Sequence, residues 1–240
     1  MEKLSDNTEI GFDEIKTNLQ RIRENTARAA AAAGRTDNVR IMAVTKTVSA
    51  DKVNFAIDMG IDLLGENRVQ EYMEKRESYK PCETHFIGSL QTNKVKYIID
   101  KVSMIHSVDS IHLIEEIDRR ARQHGLVMDV LAEINIGEEE SKSGISAQYA
   151  EEFCKQIGQF RGVRLRGLMT IPPPECSESV FACMQEIYLK LKSAEQKRGN
   201  SEFDTLSMGM SADYETAVKY GSTIIRIGSG LFGYRKYGTK

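Results

Sequence analysis

The chain has 240 residues, enough for one large α/β barrel or two ordinary domains. Hydrophobic content of 40% and charged content of 28% are those of a soluble globular protein. Lys+Arg of 33 against Asp+Glu of 35 leaves a charge of −2 and no basic surplus for nucleic acid; no run approaches the ~18 apolar residues of a membrane helix.

Met1 to Asn7 has no apolar segment of the signal-peptide kind, so a cytoplasmic protein is expected. An amphipathic helix comes next: Phe12, Ile15, Leu19 and Ile22 recur at helical spacing, and Ala27 to Ala33 carries the helix to a stop at Gly34. Short β-rich runs then alternate with longer helical ones. Strands are expected over 39–47, 61–66, 84–89, 103–108, 128–136, 163–170, 205–208 and 223–228. Helices are expected over 51–59, 69–77, 93–101, 111–124, 147–158, 180–197 and 212–220. Eight strands with seven intervening helices predict an α/β fold, a single (β/α)8 TIM barrel. Only a short tail follows the last strand, so the N-terminal helix is expected to cover the remaining outer position. The expected organisation is one domain over 1–240: helix 1–36, barrel 37–233, tail 234–240.

No G-x-G-x-x-G fingerprint or G-x-x-x-x-G-K-[ST] loop is present, and no linker divides the chain. Pro172-Pro173-Pro174 reads as a rigid loop after the sixth strand. Cys82, Cys154, Cys176 and Cys183 fit no metal-ligand spacing and read as reduced thiols. His112 and His124 read as solvated helix residues.

In a barrel of this kind the chemistry lies at the C-terminal ends of the strands. Lys46 ends the first, where an ammonium is costly to enclose and a desolvated amine becomes a nucleophile toward carbonyl carbon. Glu66-Asn67 ends the second, His85 runs along the third, His106 to Asp109 ends the fourth, Asn135 the fifth and Met169-Thr170 the sixth. Ser207-Met208-Gly209-Met210-Ser211 and Arg226-Ile227-Gly228-Ser229-Gly230 end the last two. Small residues and hydroxyls there can hold a phosphate dianion, and these two loops are the usual phosphate site of the barrel. Arg226 needs a partner inside the barrel, either an ion pair or a ligand acceptor. A Schiff-base lysine, a phosphate cup and a buried arginine together fit pyridoxal 5′-phosphate (PLP).

The stretches Ala43-Val44-Thr45-Lys46, Gly65-Glu66-Asn67 with Val69-Gln70-Glu71, and His85-Phe86-Ile87-Gly88 with Leu90-Gln91 and Asn93-Lys94 carry a resemblance. So do Gly167-Leu168-Met169-Thr170-Ile171, Leu206 to Ser211 with Asp213, and Arg226-Ile227-Gly228 with Phe232-Gly233. Over residues 43–233 the sequence resembles the PLP homeostasis proteins, the YggS-like family, whose barrel is similar to the N-terminal domain of alanine racemase. The resemblance implies that Lys46 holds the cofactor as a lysine aldimine and that Asn67 lies beside its ring. Ser207, Gly228 and Ser229 would hold the phosphate, with Met208 and Met210 lining the cup and Arg226 facing the pyridine nitrogen. His85 and Met169 complete the expected cofactor-binding set. Ser229 stands where the family usually has threonine, keeping the hydroxyl, and the triple proline departs from the family's less proline-rich loop.

A guanidinium stays protonated, so a pyridine nitrogen opposite it accepts a hydrogen bond and the ring is a weak electron sink. Transaminase-like chemistry is therefore not expected. Racemisation needs a base on each face, and in alanine racemase-like enzymes the second is a tyrosine of another domain. After Gly233 only Tyr234 to Lys240 follow, so efficient racemase activity is not expected. The expected function is intracellular PLP (vitamin B6) homeostasis and supply. The expected partners are PLP and PLP-dependent apo-enzymes, without nucleic acid, membrane or metal, for a monomer or weak dimer. The alternatives are a weak amino-acid racemase or other PLP enzyme using Tyr72 or His85, a Schiff-base aldolase acting on a sugar phosphate, and a non-enzymatic interaction protein.

Overall fold

The computed structural model describes residues 10–137, 143–173, 175 and 177–233. The expected tail 234–240, the chain start, Pro174 and Cys176 lie outside the described residues. The first helix, α1 (Phe12–Ala32), buries Ile15, Leu19, Ile22 and Ala29 along one stripe. This is the face its spacing predicts, except that Phe12 at the helix start is exposed, its ring 4.9 Å from that of Phe55.

The strands are β1 (Arg40–Val44), β2 (Leu63–Glu66), β3 (Glu83–Phe86), β4 (Met104–Val108), β5 (Met128–Asn135), β6 (Ile145–Ser146), β7 (Val163–Met169), β8 (Thr205–Ser207) and β9 (Ile224–Ile227). All pair in parallel. The order β4-β3-β2-β1-β9-β8-β7-β5 is closed by the β4–β5 pairing, which makes an eight-stranded barrel; the two-residue β6 adds only to β5. Between them run α2 (Ala50–Asp58), α3 (Val69–Lys75), α4 (Val95–Ile98), α5 (Ile111–Gln123), α6 (Ala150–Ile157), α7 (Ser177–Lys197) and α8 (Tyr214–Lys219). A one-turn α9 (Ser229–Phe232) follows β9. The fold is the expected (β/α)8 barrel. The expected helix 93–101 is reduced to a tight turn at Thr92–Lys94 and the single turn of α4. None of the described helices is long and apolar enough to cross a membrane.

Alternation along each strand sorts side chains to the two sides of the barrel wall. Met42, Val44, Leu63, Ile87 and Ile224 form one interior cluster, and Met104, Leu131 and Met169 another. Outward residues pack under the helices, with Phe181, Phe203 and Leu206 in one large cluster. Ala43, Ile225, Ile227 and Leu231 lie in the cluster that α1 covers, so the N-terminal helix occupies the expected outer position. At β7 the register with β5 slips by one residue between Leu165 and Gly167. Gly167 sits at φ +151°, and a Cβ there would lie 1.7 Å from the Thr205 carbonyl oxygen, so the bulge requires glycine.

Charges close the N-terminal end of the barrel. Asp129 joins Arg164 (2.6 Å) and Arg166 (2.7 Å), Arg166 reaches Asp204 (2.7 Å), and Arg40 reaches Glu83 (2.8 Å). The opposite, C-terminal end holds the cavity.

Candidate functional site

A cavity of about 570 Å³ opens at the C-terminal rim. Val44 and Lys46 line it from the β1 end, Asn67 from the β2 end and Ile87 from the β3 end. Ile171 follows β7, Met210, Ser211 and Ala212 follow β8, and Arg226, Gly228 and Ser229 belong to β9 and its turn. The walls thus interleave apolar side chains with a few hydrogen-bonding groups, the mixture of a small-molecule site.

Lys46 lies in the turn beyond β1 and is half-buried rather than enclosed. The next residue, Thr47, has φ +63°, an uncommon conformation for a β-branched residue. Its N–H donates to the Glu71 carboxylate of α3. Lys75 donates to the same carboxylate (2.6 Å) and to the Val48 carbonyl (2.9 Å). Burial raises the Glu71 pKa, but Lys75 and the Thr47 N–H outweigh it and hold the carboxyl below its ordinary value. A strained turn clamped by α3 therefore presents the amine.

Asn67 is placed by close backbone approach. A Cβ on Gly88 would lie 2.1 Å from the Asn67 carbonyl oxygen, so only glycine lets the loop after β3 press against it. Asn67 Oδ1 is buried and has no hydrogen-bond partner among the described residues. Such an orphan is costly unless a ligand satisfies it.

Arg226 is 4% exposed. Nη1 donates to the Ser207 carbonyl (2.8 Å) and to Ser207 Oγ (2.7 Å), and Nη2 donates to the Thr170 carbonyl (2.9 Å). Its protein partners are dipoles rather than a contacting carboxylate. Burial pulls its pKa down to about 10, opposed by the charges of Glu133 and Asp213, so it stays protonated at neutral pH. Glu133, inward on β5 and 6% exposed, is pushed up to about 7 by burial and the charge of Asp109, against Arg226. It lines a second cavity of about 250 Å³ that shares Asn67, Ile87 and Ile171 with the first.

The loops after β8 and β9 meet, as Gly230 N–H donates to Ser211 Oγ (2.9 Å). Lys46, Asn67, Met210, Arg226, Gly228 and Ser229 therefore share one cavity wall. Four other expected residues do not. Ser207 is fully buried on β8 beneath the cavity, held by Arg226 and by His106 Nδ1 (3.1 Å). Ser211, four residues on, takes the cavity position expected for it. Met208 points outward into the packing under the helices, and Met169 fills the barrel interior against Met104 and Leu131. His85 is buried between His106 (2.9 Å) and Glu83 (2.7 Å). Alternation predicts which side of the wall a residue takes but not its depth along the barrel axis. Glu66 also turns outward, to Thr45 (2.6 Å) and Tyr79 (3.2 Å), and burial pushes it up to about 7 against both hydrogen bonds. Among the described residues no group of His, Cys, Asp or Glu could hold a metal ion.

The family model for the alanine racemase N-terminal domain matches residues 17–236. A pyridoxal phosphate homeostasis protein of Aquifex aeolicus (strain VF5) is 42% identical over 226 residues, 91% of this chain and 97% of that one. The pyridoxal phosphate homeostasis protein of Escherichia coli (strain K12) is 36% identical, covering 95% and 100%. Among solved structures, PipY of Synechococcus elongatus PCC7942 with PLP bound superposes with a TM-score of 0.78 at 30% identity, over 91% of this chain and 100% of that one. Near-complete coverage in both directions at these identities, on a barrel with this rim, settles the family. The chain belongs to the pyridoxal phosphate homeostasis proteins, within the alanine racemase N-terminal domain family.

Proposed function

We propose that this protein binds PLP in the cavity at the C-terminal rim and acts in the homeostasis and supply of that cofactor, without efficient catalysis of its own. The observation that carries the reading is the convergence of Lys46, Asn67, Arg226, Ser211 and Ser229 on one cavity whose remaining wall is mostly apolar. The residues fit the group. The cavity brings together an amine, a guanidinium, two hydroxyls and the orphaned Asn67 Oδ1 with the apolar positions Val44, Ile87 and Ile171. When bound, PLP supplies an aldehyde able to condense with a primary amine. Lys46 is the amine that lines the cavity, and Ser211, Ser229 and the uncovered turn at Gly228 suit a phosphate. Arg226 remains a donor, which suits an acceptor nitrogen and disfavours electron-sink chemistry.

The names of the relatives support a homeostatic role, and so does the placement of the two groups weighed as a second acid/base. Tyr72 OH donates to the Lys101 carbonyl (2.7 Å), and His85 is bonded on both ring nitrogens; neither lines the cavity. Glu133 favours the alternative, a weak amino-acid racemase or other PLP-dependent activity, because a carboxyl titrating near 7 is suited to proton transfer. Equilibrium titration with PLP, followed by turnover assays on a panel of amino acids, separates the readings. One cofactor bound per chain with no turnover is expected; turnover that Glu133→Gln abolishes would favour the enzyme. Absence of PLP uptake would overturn both.

A further inference from the structure

A continuous line of hydrogen bonds runs through the barrel from the cavity to the opposite end. Arg226 Nη1 lies 2.7 Å from Ser207 Oγ, which lies 3.1 Å from His106 Nδ1. His106 Nε2 lies 2.9 Å from His85 Nδ1, and His85 Nε2 lies 2.7 Å from Glu83 Oε1. His85 is 1% exposed and His106 and Ser207 are 0% exposed, whereas the Glu83 side chain, at the closed end, is 37% exposed.

The two ends set the direction of every bond between them. A guanidinium only donates, so Ser207 Oγ accepts from Arg226; its own proton goes to His106 Nδ1 because, with both rings neutral, the Glu83 end leaves that nitrogen as an acceptor. His106 then carries its proton on Nε2 and donates to His85 Nδ1. His85 likewise carries its proton on Nε2 and donates to Glu83, which as a carboxylate only accepts. Each donor meets one acceptor when both rings are neutral, and no proton is left over. Burial holds both histidines below their ordinary range, most strongly His106, near the charge of Arg226. Glu83 is held down to about 2 by the His85 hydrogen bond and by Arg40, against burial.

We propose that Glu83, His85 and His106 are positioning residues that fix the Ser207 hydroxyl as an acceptor toward Arg226, and so hold the guanidinium in the cavity wall from the far end of the barrel. Only the ligand-binding consequence rests on the PLP reading. Reversing the chain would turn the His106 Nδ1–H toward Ser207 Oγ, which would then accept from both His106 and Arg226 and leave its own buried proton without a partner among the described residues.

The test is ¹⁵N NMR of histidine-labelled protein without cofactor, with circular dichroism to check folding. Two of the four histidines, the buried rings of His85 and His106, should be neutral Nε2–H tautomers. In Glu83→Gln the terminal amide can donate as well as accept, so the buried rings should show mixed tautomers and PLP affinity should fall on the order of tenfold. Arg40→Gln removes the other Glu83 partner but keeps the carboxylate, and should leave both tautomers as in the wild type. An Nδ1–H tautomer at His106 in the wild type would overturn the proposal. So would a Glu83→Gln protein with unchanged tautomers and unchanged affinity. If even the wild type takes up no PLP, the functional reading fails, and the tautomers alone decide whether the chain is polarised as described.

Discussion

Lys46 owes its place to residues that carry no chemistry. Thr47 holds a φ of +63°, and Glu71 accepts its N–H. A β-branched residue in that region stores roughly 1–3 kcal/mol of strain. Thr47→Gly should therefore raise stability by about 1 kcal/mol, since the entropy glycine adds to the unfolded chain offsets part of the relief. Urea denaturation measures this, and an unchanged or lower midpoint would show that the turn is unstrained. Glu133 supplies a pH dependence. Its folded pKa of about 7 lies above the ordinary 4.5, so between those values the folded state binds more protons than the unfolded one. Stability is then fully present below about 4.5 and is lost as pH rises through about 7. Replacing Glu133 with Gln should remove about 1–3 kcal/mol of that decline between pH 5 and 8. Parallel urea titrations at the two pH values read it directly, and equal slopes in wild type and variant would contradict the assignment. The charged and small residues at the rim were legible because an ammonium or guanidinium in an apolar strand has few uses. Depth was not legible: Ser207 and His85 lie on the expected inner face but below the cavity.

At the scale of elements, the eight barrel strands and the amphipathic helices follow from periodicity, because each must bury one stripe or face. β6 and α9 were missed because two and four residues are too short to show a period. The bulge in β7 was missed because its cause is the Thr205 carbonyl of β8, a neighbour in space only. Gly167→Ala would place a Cβ 1.7 Å from that oxygen at a φ that side chains rarely adopt. The expected cost is roughly 3–5 kcal/mol, enough to lower the melting temperature by many degrees. A variant as stable as the wild type would mean that the bulge relaxes without cost.

For the whole molecule, closure depends on α1. β9 is followed by only one turn of helix among the described residues, and α1 covers Ala43, Ile225 and Ile227 in its stead. Leu19, 1% exposed and a member of the same cluster, should cost about 2–5 kcal/mol when cut to alanine. Unfolding should remain a single transition, because α1 is part of the barrel's packing; a separate early transition of α1 in hydrogen exchange would contradict this. The closed, charged N-terminal end and the donor-lined C-terminal end give the molecule a single sense, with structure at one pole and the cavity at the other.

The central claim, that the cavity presents the Lys46 amine to PLP, is tested most directly by the absorbance spectrum of purified protein loaded with PLP, before and after borohydride, beside Lys46→Ala. A yellow band that borohydride abolishes, with the cofactor then fixed covalently to the wild type and the band missing from the variant, is the expected result. A wild type that stays colourless with added PLP, or a Lys46→Ala protein with the same band and the same covalent retention, would contradict it.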